Sequence, residues 1–156
     1  MAVEIGVQVV HSSDFNERSS TLPATQPGHG LPWRPMHGLH LIADLHDCHG
    51  ATPLDDAAAL RALCVDAVAR AGLRAVGSVF HPFMDEHGHA QGVTGVVLLV
   101  ESHLAVHTWP ELRSVTADVY VCNVGADNSA RAEGLMAELV AAFGPRAPQV
   151  QRVQRG

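Results

Sequence analysis

The sequence predicts an α+β fold, a two-layer sandwich in which two helices cover one face of a mainly antiparallel sheet. Three observations carry that expectation. The apolar patterns run in the order strand, helix, several strands, helix. Each helical stretch has an apolar stripe and a recognisable stop. And 156 residues, 47% hydrophobic and 17% charged, suffice for one compact domain of about 100–150 residues and little more.

The elements follow in chain order. Residues 1–36 include a stretch rich in Ser, Thr, Pro and Gly without a sustained apolar period, and read as an irregular arm; Val7 to Val10 can add an edge strand. The folded body, residues 37–156, opens with a buried strand in which Leu39, Leu41 and Ala43 alternate with His40, Ile42 and Asp44. Thr52-Pro53 offers an N-cap followed by Pro at the first helical position, with Asp55 in the first turn. The stripe Leu60, Leu63, Cys64, Ala67, Val68 and Ala71 fills that helix, and Gly72 ends it. Strands are expected over Leu73–Phe80, Val93–Val100, His103–Trp109 and Val115–Cys122, with a Gly/His/acidic loop before Gly92. Asp127 or Asn128 caps a second helix with core face Ala132, Leu135, Met136, Leu139, Val140 and Phe143, stopped by Gly144-Pro145. A last strand fits near Val150.

Composition removes several chemistries. All ten basic residues are Arg, and there is no Lys. A P-loop lacks its phosphate-binding Lys, and pyridoxal phosphate or class I aldolase chemistry lacks the amine for a Schiff base. A formal charge of −6 without any basic run argues against nucleic acid as a partner. The N-terminal Met-Ala-Val-Glu lacks a signal-peptide pattern, and no apolar stretch approaches the roughly 18–20 residues of a membrane span. A soluble, cytoplasmic protein with no membrane partner is expected. Cys48, Cys64 and Cys122 form no Cys-x-x-Cys pair and read as reduced thiols.

Eleven histidines raise the question of a metal. His46/His49, His87/His89 and His103/His107 have ligand-like spacings, but each offers two ligands without an implied third, so no metal is assigned. The junction Glu101-Ser102-His103 is more informative. It separates two apolar strands where a hairpin ordinarily takes Asn-Gly or Asp-Gly. On residue type alone, Ser102 is more often a polar junction residue than a nucleophile.

The run Glu101-Ser102-His103-Leu104-Ala105-Val106-His107-Thr108-Trp109-Pro110-Glu111, preceded by Gly92-Val93-Thr94-Gly95-Val96-Val97 and followed by Asp118-Val119-Tyr120-Val121-Cys122, resembles the prokaryotic S-adenosylmethionine decarboxylase proenzymes. The resemblance extends from about Gly38 through the second helix. It implies that the chain cuts itself between Glu101 and Ser102, that Ser102 becomes a pyruvoyl cofactor, and that the products are β and α chains of 101 and 55 residues. It further implies decarboxylation of S-adenosylmethionine for spermidine biosynthesis by a homodimer of processed protomers, in which active sites can share residues. A Lys-free decarboxylase needs another carbonyl as its electron sink, and a terminal ketone meets that need.

The same resemblance assigns roles. His107 matches the residue that takes the proton in β-elimination, and Cys122 the acid that reprotonates the product. Thr94 stands where the family commonly has a Ser that supports processing, so its methyl group is expected to slow that step. Phe83 matches the residue that stacks on adenine, and Glu111 the one that contacts the ribose. Taken alone, Phe83 and Cys122 read as buried packing residues, Glu111 as a solvated turn residue, and Trp109 as packing. Period two places Ser102 and His107 on opposite strand faces, so they can meet only if the chain turns sharply at Ser102.

Two departures concern the substrate. Leu112-Arg113-Ser114-Val115-Thr116 replaces the usual Tyr-Gly-Tyr-Ala-Ala, and the loop from Phe83 to Gly92 is longer than usual. Ornithine or arginine is the alternative substrate, with Asp85, Glu86 or Asp47 receiving the distal cation. A non-processing, His-rich relative that binds a metal or ligand is the alternative of a different class.

Overall fold

The computed structural model describes residues 36–156; the expected arm, apart from Met36, and the strand at Val7 to Val10 lie outside them. Six strands form one sheet: β1 (Gly38–Cys48), β2 (Ala75–Met84), β3 (Ala90–Leu99), β4 (Ser102–Trp109), β5 (Ser114–Cys122) and β6 (Pro145–Arg155). Their order is β2-β3-β4-β5-β1-β6, and every neighbouring pair is antiparallel. Helices α1 (Ala57–Arg70) and α2 (Ser129–Phe143) cover one face, as the expected α+β sandwich requires.

Alternation builds the core. Leu39, Leu41, Ala43 and Leu45 from β1 meet Leu104 and Val106 from β4, and Val115, Ala117, Val119 and Val121 from β5, all buried beneath Leu60, Cys64, Ala67 and Val68 of α1 and Leu135, Leu139 and Phe143 of α2. Gly95 is required where it stands, because a Cβ there would lie 2.1 Å from the Phe80 ring that crosses it.

Helix α1 begins four residues later than Thr52-Pro53 predicts. Asp56 is the actual N-cap, its carboxylate accepting from the amides of Ala58 and Ala59 at 2.8 and 3.0 Å. The Leu54 carbonyl is engaged by the hydroxyl of Thr108, buried in the sheet, so the segment from Thr52 to Asp55 lies across the strands rather than in the helix. Gly72 ends α1 as expected, with φ +72°. Asn128 is the N-cap residue of α2, but the side chain that accepts from the Ser129 amide is that of Asp127. Gly144 closes α2 at φ +55°.

The expected loop before Gly92 is shorter in the structure. β2 continues to Met84 and β3 starts at Ala90, leaving the five-residue turn Asp85–His89, whose Asp85 carboxylate accepts from the amides of His87 and His89. The expected last strand proves to be 11 residues long and pairs with β1 along its length. Its Gln/Arg-rich sequence leaves nearly every side chain exposed, as suits a sheet edge.

Candidate active site

Leu99 pairs with Ser102, so Val100 and Glu101 are the two central residues of a tight β3–β4 turn. Glu101 has φ +62°. Such a conformation costs an L-residue with a side chain about 1–2 kcal/mol, and Gly or Asn ordinarily fills it. The bond that follows Glu101 therefore leaves a strained residue.

Ser102 is the first residue of β4, and its Oγ accepts from the Cys122 amide at 3.0 Å. Cys122 ends β5, 8% exposed and unpaired with any sulfur. The Cys122 peptide is held from its other side as well, since Asn128 Nδ2 donates to its carbonyl at 3.0 Å. Asn123 Oδ1 in turn accepts from the Asn128 amide, and the Asn123 amide donates to the His37 carbonyl. A pocket of about 770 Å³ opens beside this junction, lined by His37, Glu101, Tyr120, Cys122 and Asn123 among others. Glu101 and Cys122 thus border the same open space next to Ser102.

The face away from the helices carries a second constellation. Thr94 and His107 are cross-strand partners, with Thr94 Oγ1 3.1 Å from His107 Nδ1. Trp109 lies beside His107, ring centroids 6.2 Å apart. Phe83, 43% exposed, lies opposite Gly92 at that end of the sheet, and Glu111 is exposed in the single 3₁₀ turn Pro110–Leu112 that follows β4.

The seven residues expected to share a site therefore form two groups. Glu101, Ser102 and Cys122 stand at one end of the sheet, and Thr94, His107, Phe83 and Glu111 towards the other. Five residues of extended strand separate Ser102 from His107 by about 16 Å. β4 runs without interruption from Ser102 to Trp109, so the sharp turn needed to bring them together is absent from this strand.

Other groups border the first end. His40 packs T-shaped against the rings of His103 and Tyr120, which are tilted 38° to each other, His40 Nε2 lies 3.3 Å from Asp118, and the Arg155 guanidinium sits over the Tyr120 ring at 5.2 Å. Burial pushes the His103 pKa below its ordinary value of 6.5, the neighbouring His40 adds to that shift, and Asp118 opposes it. Nothing in the sequence points to the Asn123–Asn128 clamp, whose members read as an ordinary helix cap.

The departures also find their places. Arg113 has φ +46° at the position where the family pattern has Gly, and its guanidinium meets Asp47 at 2.5 Å. Asp47, itself at φ +53°, also contacts His49 and Arg146, while Asp85 is occupied by its own turn and Gln91. His46 lies near Ser114, and His87 and His89 stand on the β2–β3 turn. Among the described residues, no three His, Cys, Asp or Glu side chains gather as a metal site.

A family model for S-adenosylmethionine decarboxylase matches residues 39–156. A relative described as S-adenosylmethionine decarboxylase proenzyme, from Parasynechococcus marenigrum (strain WH8102), is 44% identical over 87 residues, 56% of this chain and 63% of that protein. The chain thus matches less than two thirds of that relative's length. A proenzyme of the same description from Syntrophomonas wolfei is 36% identical over 115 residues, 74% of this chain and 86% of its own length. Among solved structures, the adenosylmethionine decarboxylase from Aquifex aeolicus VF5 superposes with a TM-score of 0.67 at 34% identity, covering 79% of this chain and 93% of that one.

Proposed function

The chain belongs to the S-adenosylmethionine decarboxylase family, and on that footing we propose that it is a proenzyme that cuts itself between Glu101 and Ser102 and decarboxylates S-adenosylmethionine in the cytoplasm, for spermidine synthesis. The observation that carries this reading is the left-handed Glu101 joined to a Ser102 hydroxyl fixed by the Cys122 amide. Ser102 Oγ attacks the Glu101 carbonyl carbon, the C–N bond breaks, and the amide becomes an ester with a free amine on Ser102. The turn opens, and the strain at Glu101 is released as the bond rearranges. A base then removes the Ser102 α-proton, and the Cβ–Oγ bond breaks. Water replaces the nitrogen, which leaves as ammonia.

The resulting ketone condenses with the amine of the substrate and accepts the electrons left by departing CO₂. Cys122 returns the proton in this reading, which is supported by the bond between its backbone amide and Ser102 and by its place in the wall of the neighbouring pocket. Of the three carboxylates that could receive the distal cation of ornithine or arginine, Asp47 and Asp85 are taken up by contacts within the chain, and only Glu86, exposed beside His87 on the β2–β3 turn, is left to do so.

The two groups of site residues are best reconciled by two copies. The helix-free face exposes Val79, Leu98 and Phe83 at 65, 49 and 43%, an apolar surface that a second copy can cover. Stacked across a two-fold axis, each copy presents its Thr94, His107, Phe83 and Glu111 to the Ser102 and Cys122 of the other. Co-expression tests this arrangement: Ser102→Ala and His107→Ala chains each stay whole alone, while in a mixed dimer the His107→Ala chain is cut. An uncut mixture refutes the shared site. Cleavage by intact mass, followed by CO₂ release from S-adenosylmethionine, ornithine and arginine, tests the activity. An uncut wild-type chain, or release only from a basic amino acid, refutes it.

A further inference from the structure

Behind the scissile bond lies a second, smaller pocket of about 210 Å³, lined by Arg74, Glu101, Ser102, Cys122, Asn128 and Arg131 among others. Arg70, Arg113, Arg146 and Arg152 each meet an acidic side chain, whereas Arg74 and Arg131 make no such pair among the described residues. Arg131 is held through its side chain and Arg74 through its backbone. Arg131 Nη1 donates to Asn128 Oδ1 at 3.1 Å, and the Arg74 carbonyl accepts from the Val100 amide at 3.2 Å, fastening it to the turn that carries the cut. Asn128 occupies the N-cap of α2 yet makes no capping bond; its amide group bridges Arg131 and the Cys122 carbonyl.

The processing chemistry creates a charge at this spot. When the Ser102 α-proton goes to the base, its electron pair forms the Cα=Cβ bond and the Cβ–Oγ bond breaks. Oγ then leaves as one oxygen of a new α-carboxylate on Glu101. That oxygen begins on the Cys122 amide, at the edge of the pocket with the two arginines. Before the cut the pocket is bordered by one acidic residue, Glu101, and two arginines; the cut adds a second carboxylate to Glu101.

We infer that this pocket receives the α-carboxylate released at Glu101, with Arg74 and Arg131 as its cationic partners and Asn128 as a positioning residue for Arg131 and the Cys122 peptide. The inference rests on the self-cleavage proposed above. Fixed positive charge aimed at the Glu101 carboxyl carbon favours the elimination step most, where a full carboxylate persists, whereas ester formation carries negative charge there only in passing through its tetrahedral intermediate.

The test follows processing of the full chain and of Arg74→Gln, Arg131→Gln and the double variant by intact mass, with and without hydroxylamine, which cleaves an ester but spares an amide. Both arginines are exposed, so solvent screening holds the expected slowing of the double variant to about tenfold. A hydroxylamine-sensitive ester should accumulate, and Lys at both positions should restore most of the rate. Melting curves in a Ser102→Ala background show whether the variants fold; if the double variant does not, the single variants are read by the same criteria. A double variant cut at the wild-type rate overturns the inference, as does slow cutting without ester or without rescue by Lys. A wild-type chain that never cuts refutes the self-cleavage instead.

Discussion

Replacing Glu101 by Gly and, separately, by Ala isolates the strain at the scissile bond from the chemistry of the side chain. Both remove the carboxylate, but only Gly adopts φ +62° without penalty. The left-handed conformation costs Ala about 1–2 kcal/mol. If ester formation opens the turn, that energy lowers the barrier, and its loss slows Glu101→Gly by about 5–30-fold relative to Glu101→Ala. The same relief should appear in stability. In a Ser102→Ala background, where cleavage cannot intervene, the Gly chain gains about 1–2 kcal/mol in the folded state and loses about 0.4–1 through its freer unfolded state, a net change between about 0 and 1.6 in favour of Gly. The first quantity is read from the rate of appearance of the two fragments at 25 °C, the second from urea unfolding. Equal cleavage rates for Gly and Ala would refute the claim that strain drives the cut, whatever the stability shows.

Three further outcomes are expected. Thr108→Val removes a hydroxyl that accepts from the Val93 amide at 2.8 Å and donates to Leu54; orphaning those groups should cost about 2–4 kcal/mol by urea unfolding, and Thr108→Ser should recover most of it. Gly95→Ala drives a methyl into the Phe80 ring and should cost about 1–3 kcal/mol, with Phe80→Leu relieving part of the loss if the clash is the cause. Because the folded state holds the His103 pKa below 6.5, the unfolded chain takes up that proton first. Stability should therefore fall as pH drops below about 6.5, ceasing once the lowered folded value is passed. His103→Asn should flatten the melting temperature between about pH 7 and pH 5, and an unchanged slope excludes His103 as its source.

Local pattern made much of the architecture legible. Strict alternation in β1, β4 and β5 reports burial on one face, and the stripes of α1 and α2 with Gly72 and Gly144 as stops report helices that cover it. The start of α1 was not legible, because the competing interaction that holds Leu54 comes from Thr108, 54 residues away. The β2–β3 loop was misjudged for a related reason: Pro, Gly and His look like loop residues, yet pairing with β3 carries the strand through Pro82 to Met84.

The sequence by itself pointed to the family, through the Glu101–Glu111 run, and supplied the groups that the proposed chemistry needs: the Ser102 hydroxyl, the His107 imidazole and the Cys122 thiol, with no lysine to make another imine. Side-chain identity is a local property, so one chain of letters can carry it. Where those groups stand relative to one another was decided only by the tertiary structure. Strand register put Ser102 beside Cys122, and an unbroken β4 kept His107 on the opposite face that period two assigns it, about 16 Å away. Packing of α2 against the sheet end placed Asn128 on the Cys122 peptide and Arg131 in the wall of the pocket that Glu101 and Ser102 also line. Such distances arise from pairings between residues far apart in the chain, and no spacing within one segment encodes them.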